Sequence, residues 1–197
     1  MGRQLIDQPF GVINAVNFYQ KESFQLLHDY IQTLHNSPYQ SVNVCYRLAN
    51  VLPESGAVTR GICEVDEEGY LISVTDRLGV ERVGGRPMYP NDLHKWESLD
   101  ENCLVSMNMW GFKPDIFAEM QTAFDAFFDV HGLDMKAHYS IPVFMNKQIE
   151  QGVKVKVVET PAHWMGLVSH DDKIQVVLRI NEMMRKGIYP HKLFEKN

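Results

Sequence analysis

Chemistry in this chain has few places to live: one pair of neighbouring aspartates, one amide-bearing loop and two polar residues inside an apolar run. Asp171-Asp172 offers adjacent carboxylates, the hard oxygen donors a divalent ion prefers. Two acids at a helix start also stabilise the positive end of its dipole, so the pair reads either way. Eight histidines and three cysteines invite a transition-metal reading. No HxH, HExxH or CxxC pairs them, however, so a locally built site is not expected. There is no GxSxG elbow, no P-loop and no GxGxxG. His163 beside Trp164 reads as structural rather than catalytic.

The two polar residues are Ser106 and Asn108, within the nearly continuous apolar run Leu104–Phe112. The run is too short for a membrane span and dense enough for a buried strand. In a strand, Ser106 and Asn108 share parity with Leu104 and Trp110, so all four point to one face. Asn108 is then either a core asparagine satisfied by backbone or the polar floor of a ligand cleft. Pro114 and Asp115 open a helix behind the strand, and Ile116, Met120, Ala123, Phe124 and Phe127 give it one apolar face. His131-Gly132 is expected to close it, with Gly132 as a left-handed stop.

The remaining elements must position these residues. Phe10–Ile13 reads as a strand, and Asn14-Ala15-Val16-Asn17-Phe18-Tyr19 as the turn at its end, where open α/β sheets bind ligands and metals. A helix is predicted from about Lys21 to His35, with Phe24, Leu27, His28, Ile31 and Leu34 on one side. Ser41–Leu48 reads as a strand. Arg60–Val65 and Tyr70–Asp76 form a hairpin closed by Asp66-Glu67-Glu68-Gly69. Residues 77–102 lack a sustained period and read as an irregular insertion or lid. Ser140 caps a helix with Pro142 in its first turn, Val153–Glu159 is a strand, and Ser169 to Asp172 opens a last helix with Ile174, Val177, Leu178 and Met184 as its apolar stripe.

A length of 197 residues suits one domain, 1–197, with a proper core. The 45% hydrophobic and 22% charged fractions are ordinary for a globular protein. A net charge of -6 with no basic stripe argues against general nucleic-acid binding. Cys45, Cys63 and Cys103 sit in apolar runs and read as buried reduced thiols of a cytoplasmic protein. No apolar run approaches the ~20 residues that cross a bilayer, so no membrane partner is expected.

Several segments together carry a resemblance. QPFGVINAVNFYQKESFQLL, TRGICEVDEEGYLISVTDR, VSMNMWGFKPDIF, KVKVVETPAHWMGL and GIYPHKLF resemble, in order, the later two-thirds of bacterial sugar-phosphate nucleotidyltransferases, the NDP-sugar pyrophosphorylase-like proteins. The resemblance implies an α/β fold, an incomplete Rossmann-like nucleotidyltransferase domain with a mixed β-sheet flanked by helices. It implies a reaction joining a nucleoside triphosphate to a sugar 1-phosphate, with Mg2+ as cofactor and pyrophosphate released. Gly61 matches the family's backbone-approach glycine beside the sugar. Asp76-Arg77 matches an acidic-basic pair that contacts sugar phosphate, and Asn108 matches an asparagine that bonds sugar hydroxyls.

The departures lie in the polar positions. The family's Gly-rich triphosphate loop belongs upstream of this sequence. Its strand-end turn resembles Asn-Ala-Asp-Asp-Phe-Tyr-Gly, where this chain has Val16 and Asn17 for the two acids. The acid usual before the Pro142 helix is matched by His138, and an aspartate by Asn146. The resemblance therefore implies no intact catalytic set, with Asn17, Asp171 and Asp172 as the remaining metal candidates. It implies a chain active only with a partner supplying the nucleotide-binding half, a non-catalytic sugar-phosphate-binding or partner subunit, or a recorded start that omits upstream sequence. The Phe10–Ile13 strand should then carry an open edge, with self-association, an N-terminal segment folded over it, or poor solubility as the result.

Overall fold

The structure, a computed structural model, describes residues 2–166 and 170–192, with the backbone alone for 170–172. A 3-10 turn, Gly2–Gln4, precedes β1 (Phe10–Val12) and a two-residue β2 (Asn17–Phe18). Helix α1 (Gln20–Thr33) follows, then β3 (Ser41–Arg47) and the hairpin of β4 (Val58–Val65) and β5 (Leu71–Val83). β6 (Arg86–Pro90) and β7 (Trp96–Ser98) lead to β8 (Leu104–Phe112), α2 (Ile116–His131) and α3 (Ile141–Glu150). The chain continues through β9 (Val155–Thr160) and β10 (Met165–Gly166) to α4 (His170–Arg185).

Eight strands make one mixed sheet in the order β7-β6-β5-β4-β8-β3-β9, with β1 also paired to β8. Among the described residues only β3 and β9 run parallel, and every other pair in this sheet is antiparallel. The sheet curls until its β9 edge meets the β4–β5 turn: the Val157 N–H donates to the Gly69 carbonyl at 3.0 Å. Gly69 has the positive φ the turn requires, +80°.

β8 is apolar on both faces because both are covered. Val105, Met107 and Met109 enter the core under α1 with Val42, Val44, Tyr46 and Leu27. Trp110 and Phe112 stack at 6.1 Å on the other face, in the core beneath Ile116 of α2 and Phe144 and Met145 of α3. Gly111 lets α1 approach the strand, since a Cβ there would lie 2.5 Å from Val42 Cγ1 and 3.0 Å from Ile31 Cγ1. Ser140 caps α3 as expected, accepting from the Val143 N–H at 3.4 Å.

Four expectations need correction. Residues 77–102 are no irregular lid: β5 runs on to Val83, and β6 and β7 extend the meander. That arm sends Val80 and Tyr89 into the main core while leaving Leu78, Leu93 and Trp96 exposed, so apolar residues fall on both of its faces and no single period marks it in the sequence. Gly132 ends α2 with φ -61°, right-handed, its N–H still bonded to the Phe128 carbonyl. Phe24 and His28 of α1 face solvent, while Ser23, Leu27 and Leu34 turn inward. On α4, Ile174, Val177 and Leu178 are exposed, and Val176 and Met183 pack against Met165 instead. A helical stripe fixes which residues share a face, and the partner decides which face is buried.

Candidate functional site

β1 and β4 share one edge of β8, end to end. β1 takes Phe112 to Trp110, β4 takes Ser106 and Val105, and the three residues between have no strand partner on that edge among the described residues. On the other edge the register with β3 jumps from Asn43↔Trp110 to Cys45↔Ser106, so the longer stretch of β8 bulges. Asn108 sits in the bulge with φ +58°. Asparagine is the non-glycine residue that enters this left-handed region most readily. Its side chain is half-buried and has no hydrogen-bond partner among the described residues.

Two buried side chains brace the carbonyls flanking Asn108. The Tyr19 hydroxyl donates to Met107 O at 2.9 Å, and Asn43 Nδ2 donates to Met109 O at 3.2 Å. Asn43 also reaches Ser106 Oγ at 3.2 Å and accepts from the Cys45 thiol at 2.7 Å. Tyr19 Oη in turn accepts from the Asn14 backbone N–H and from Asn17 Nδ2, each at 3.1 Å. The loop at the end of β1 and the bulge in β8 are therefore bolted to one phenol.

Behind Tyr19 runs a fully buried polar chain of Tyr46, Ser23 and Thr160. Tyr46 Oη lies 3.0 Å from the Tyr19 carbonyl and 2.8 Å from Ser23 Oγ; Ser23 Oγ lies 3.0 Å from Thr160 Oγ1, which accepts from the Ala162 N–H at 3.2 Å. Each hydroxyl has one proton, the Tyr19 carbonyl only accepts and the Ala162 N–H only donates. The Tyr46 hydroxyl thus has one proton for two acceptors, the Tyr19 carbonyl and Ser23 Oγ, and either hydroxyl of the Ser23–Thr160 pair can donate to the other. Burial pushes the Tyr46 and Tyr19 phenols above their ordinary value.

The sequence-predicted residues fall in three groups. Gly61 pairs with Asp76 on one side and with Ser106 on the other, so Gly61, Asp76 and Ser106 lie in a row across the sheet beside the bulge. A Cβ on Gly61 would lie 3.0 Å from Val74 Cγ1 and 3.3 Å from Asp76 Oδ1, which puts the exposed Asp76 carboxylate over the glycine. Arg77 points to the opposite face, as successive strand residues must, and stacks on Tyr89 at 5.0 Å. Asp76 and Arg77 are thus adjacent in sequence and separated by the sheet. The third group is the strand-end loop, where Val16 is half-exposed and Asn17 is tied to Tyr19 through its amide. The side chains of Asp171 and Asp172 lie outside the described residues. His138 is exposed. Asn146 pairs with the β5 backbone, donating to Val74 O at 2.8 Å and accepting from Val74 N–H at 2.9 Å. A carboxylate could not supply both bonds, which gives the amide there a structural reason.

Arg60, opposite Arg77 across the hairpin, was not anticipated. It is buried, donates to Val51 O at 3.2 and 2.6 Å and to Thr59 O at 2.8 Å, and lies 5.0 Å from the Trp164 ring centroid. Burial pulls its pKa down to about 10. Two arginines at opposed positions repel, and the aromatic stacking of each offsets part of that cost. Tyr89, under Arg77, donates its hydroxyl to Glu97, which lowers the Glu97 pKa. Tyr19, Asn43 and Arg60 were missed for one reason. Each looks like an ordinary polar residue beside an apolar run until its distant carbonyl is known.

No group of three His, Cys, Asp or Glu side chains that could hold a metal ion occurs among the described residues. Val16 has no donor atom, and Asn17 offers only a neutral carbonyl oxygen on an amide already held by Tyr19. These loop residues do not fit a Mg2+ site of their own. No described helix is long and apolar enough to cross a membrane.

Comparison with known proteins finds likeness in fold alone. No family model matches the sequence. No curated protein matches it either. Among solved structures, the inositol-1-phosphate CTP transferase from T. maritima superposes with a TM-score of 0.55 and 10% identity, over 94% of this chain and 60% of that one. A protein described as a glucose-1-phosphate thymidylyltransferase from Bacillus anthracis, solved in complex with a sucrose, gives 0.54 and 11% over 99% and 60%. The mixed, curled sheet with flanking helices is therefore the fold of these sugar-phosphate nucleotidyltransferases, and this chain spans about 60% of their length.

Proposed function

We propose that this chain is the sugar-phosphate side of a nucleotidyltransferase-like protein, and that Asn108, Gly61 and Asp76 form the ligand-facing surface. The observation carrying this reading is the left-handed Asn108, displayed in a braced bulge where two strands meet on one edge of β8. Bulges of this kind re-aim a side chain beside a site. Sugar hydroxyls suit such a surface, because Asn108 can both donate and accept, Asp76 accepts, and Gly61 leaves its backbone open to approach. The resemblance and the shared fold supply the class of reaction: nucleoside triphosphate and sugar 1-phosphate to nucleotide sugar and pyrophosphate. Alignment and charge neutralisation carry most of such a transfer.

A second reading, a non-catalytic binding or partner subunit, draws on the strand-end loop. Val16 and Asn17 stand where the resembling proteins have acids, so that loop gives neither a carboxylate to a metal nor a base. Partner pairing at β1 is consistent with its strand contacts, which among the described residues go to β8 alone.

Calorimetric titration with glucose 1-phosphate tests the binding surface, and pyrophosphate release with nucleoside triphosphates and Mg2+ tests turnover. Binding that is lost in Asn108→Ala supports the first reading. No binding of any sugar 1-phosphate would overturn the first reading and leave only a partner role for the second. Binding with turnover by the purified chain alone would overturn the partner-subunit reading, and binding without turnover favours it.

A further inference from the structure

We propose that Tyr19 is a positioning residue that couples the Asn14–Asn17 loop to the Asn108 bulge, so that what one side holds is felt by the other. The proposal rests on the sugar-phosphate reading only for the choice of ligand. A phenol can donate once and accept twice, and Tyr19 spends all three bonds on this junction. Two of them hold the loop at Asn14 and Asn17, and the third reaches β8 at Met107. Its ring is fully buried, set edge-on to Phe24 at 6.0 Å, and its carbonyl anchors the end of the Ala162-to-Tyr19 hydroxyl chain. The phenol therefore cannot follow one partner without moving the other.

The bulge has a reason to need such a bolt. A left-handed non-glycine residue persists only where its surroundings hold it. Asn43 clamps the carbonyl after Asn108 from β3, and Tyr19 clamps the carbonyl before it from the loop. Asn43 joins two strands of one sheet, whereas among the described residues Tyr19 is the side chain that joins the bulge to the loop by hydrogen bonds. Removing its oxygen leaves the Asn14 N–H, the Asn17 amide and the Met107 carbonyl each without this partner.

The test is Tyr19→Phe, read by NMR and calorimetry. The three-bond HN–Hα coupling of Asn108 should move toward the extended value. Exchange of the Asn14 amide should accelerate by about tenfold, and glucose 1-phosphate should bind about tenfold more weakly. Phe24→Leu, which disturbs the ring packing but none of the three bonds, should lower stability and leave the Asn108 coupling in place. Should Tyr19→Phe fail to fold, Asn17→Ala keeps the phenol, and it must still shift the Met107 and Asn108 backbone resonances on the other side. An unchanged Asn108 coupling in folded Tyr19→Phe, or unmoved Asn108 resonances in Asn17→Ala, overturns the proposal. If the unmodified protein binds no sugar phosphate, the ligand reading fails while the coupling and exchange measurements still decide the role of Tyr19.

Discussion

Tyr19 and Met107, 88 residues apart, are joined by a buried 2.9 Å hydrogen bond from phenol to backbone carbonyl. That bond ties the start of α1 to the middle of β8 and fixes one shoulder of the bulge carrying Asn108. Its counterpart on the other shoulder, Asn43 to Met109 O, crosses from β3. The candidate site is thus held by side chains that need never touch a ligand.

Asn43→Asp tests the second shoulder. The substitution keeps size and removes the donor, placing a carboxylate against the Met109 carbonyl and Ser106 Oγ in a fully buried position. Stability should fall by about 3 kcal/mol. Urea unfolding of the two proteins checks this, and an unchanged midpoint would show the clamp to be dispensable.

Asn146→Asp separates structure from chemistry at a position where the resembling proteins carry an acid. The acid would face Val74 O with no proton to give. Unfolding free energy should drop by about 2 kcal/mol at neutral pH. Lowering the pH toward 4 should recover part of the loss as the new carboxyl protonates and can donate again. A variant as stable as the parent at pH 7 would contradict the pairing.

Gly61→Ala adds a methyl where Val74 Cγ1 would be 3.0 Å away and the Asp76 carboxylate 3.3 Å away. One of them must move. We expect about 1 kcal/mol of destabilisation from the crowding and a larger fractional loss of glucose 1-phosphate affinity, since the exposed Asp76 gives way more easily than packed Val74. Affinity and unfolding measured on one preparation decide the matter, and full retention of binding would remove Gly61 and Asp76 from the site.

Stability should decline on the alkaline side. Burial lifts the Cys103 thiol from 9.0 to about 11, with the nearby Asp100 adding to it. An acid with a raised native pKa keeps its proton while the unfolded chain loses it, so stability is full below about pH 9 and is lost as pH climbs toward 11. The Tyr19 and Tyr46 phenols, raised by burial, extend the decline above pH 10. Arg60, pulled down by burial, works in the opposite sense above about pH 10, because the folded state releases its proton first. Urea midpoints from pH 8 to 11 should fall, and Cys103→Ala should flatten the part between 9 and 11. Identical profiles for both proteins would refute the assignment to Cys103.

Much of the framework was legible from residue order. Leu104–Phe112 as a buried strand, Ser140 as a cap and Gly69 as a turn glycine follow from rules that act within a few residues. The inward faces of α1 and α4, and the β6–β7 arm, were not legible, because each depends on whether something packs against it. At the site, Gly61, Asp76 and Asn108 were named from the sequence, and their grouping came from the register of β4, β5 and β8. Arg77 was named beside Asp76 and lies across the sheet from it, a consequence of strand alternation.

What the sequence determined by itself, then, is local: apolar periods, capping residues, turn glycines and the absence of acids at Val16 and Asn17. Tertiary structure alone decided that Asn108 is left-handed, that Tyr19 and Asn43 hold it there, and that Asn146 pairs with the backbone of β5. The physical reason is range. Backbone preference is set by neighbours along the chain, whereas a buried polar atom is satisfied by whichever carbonyl the fold brings within 3 Å, here one 88 residues away.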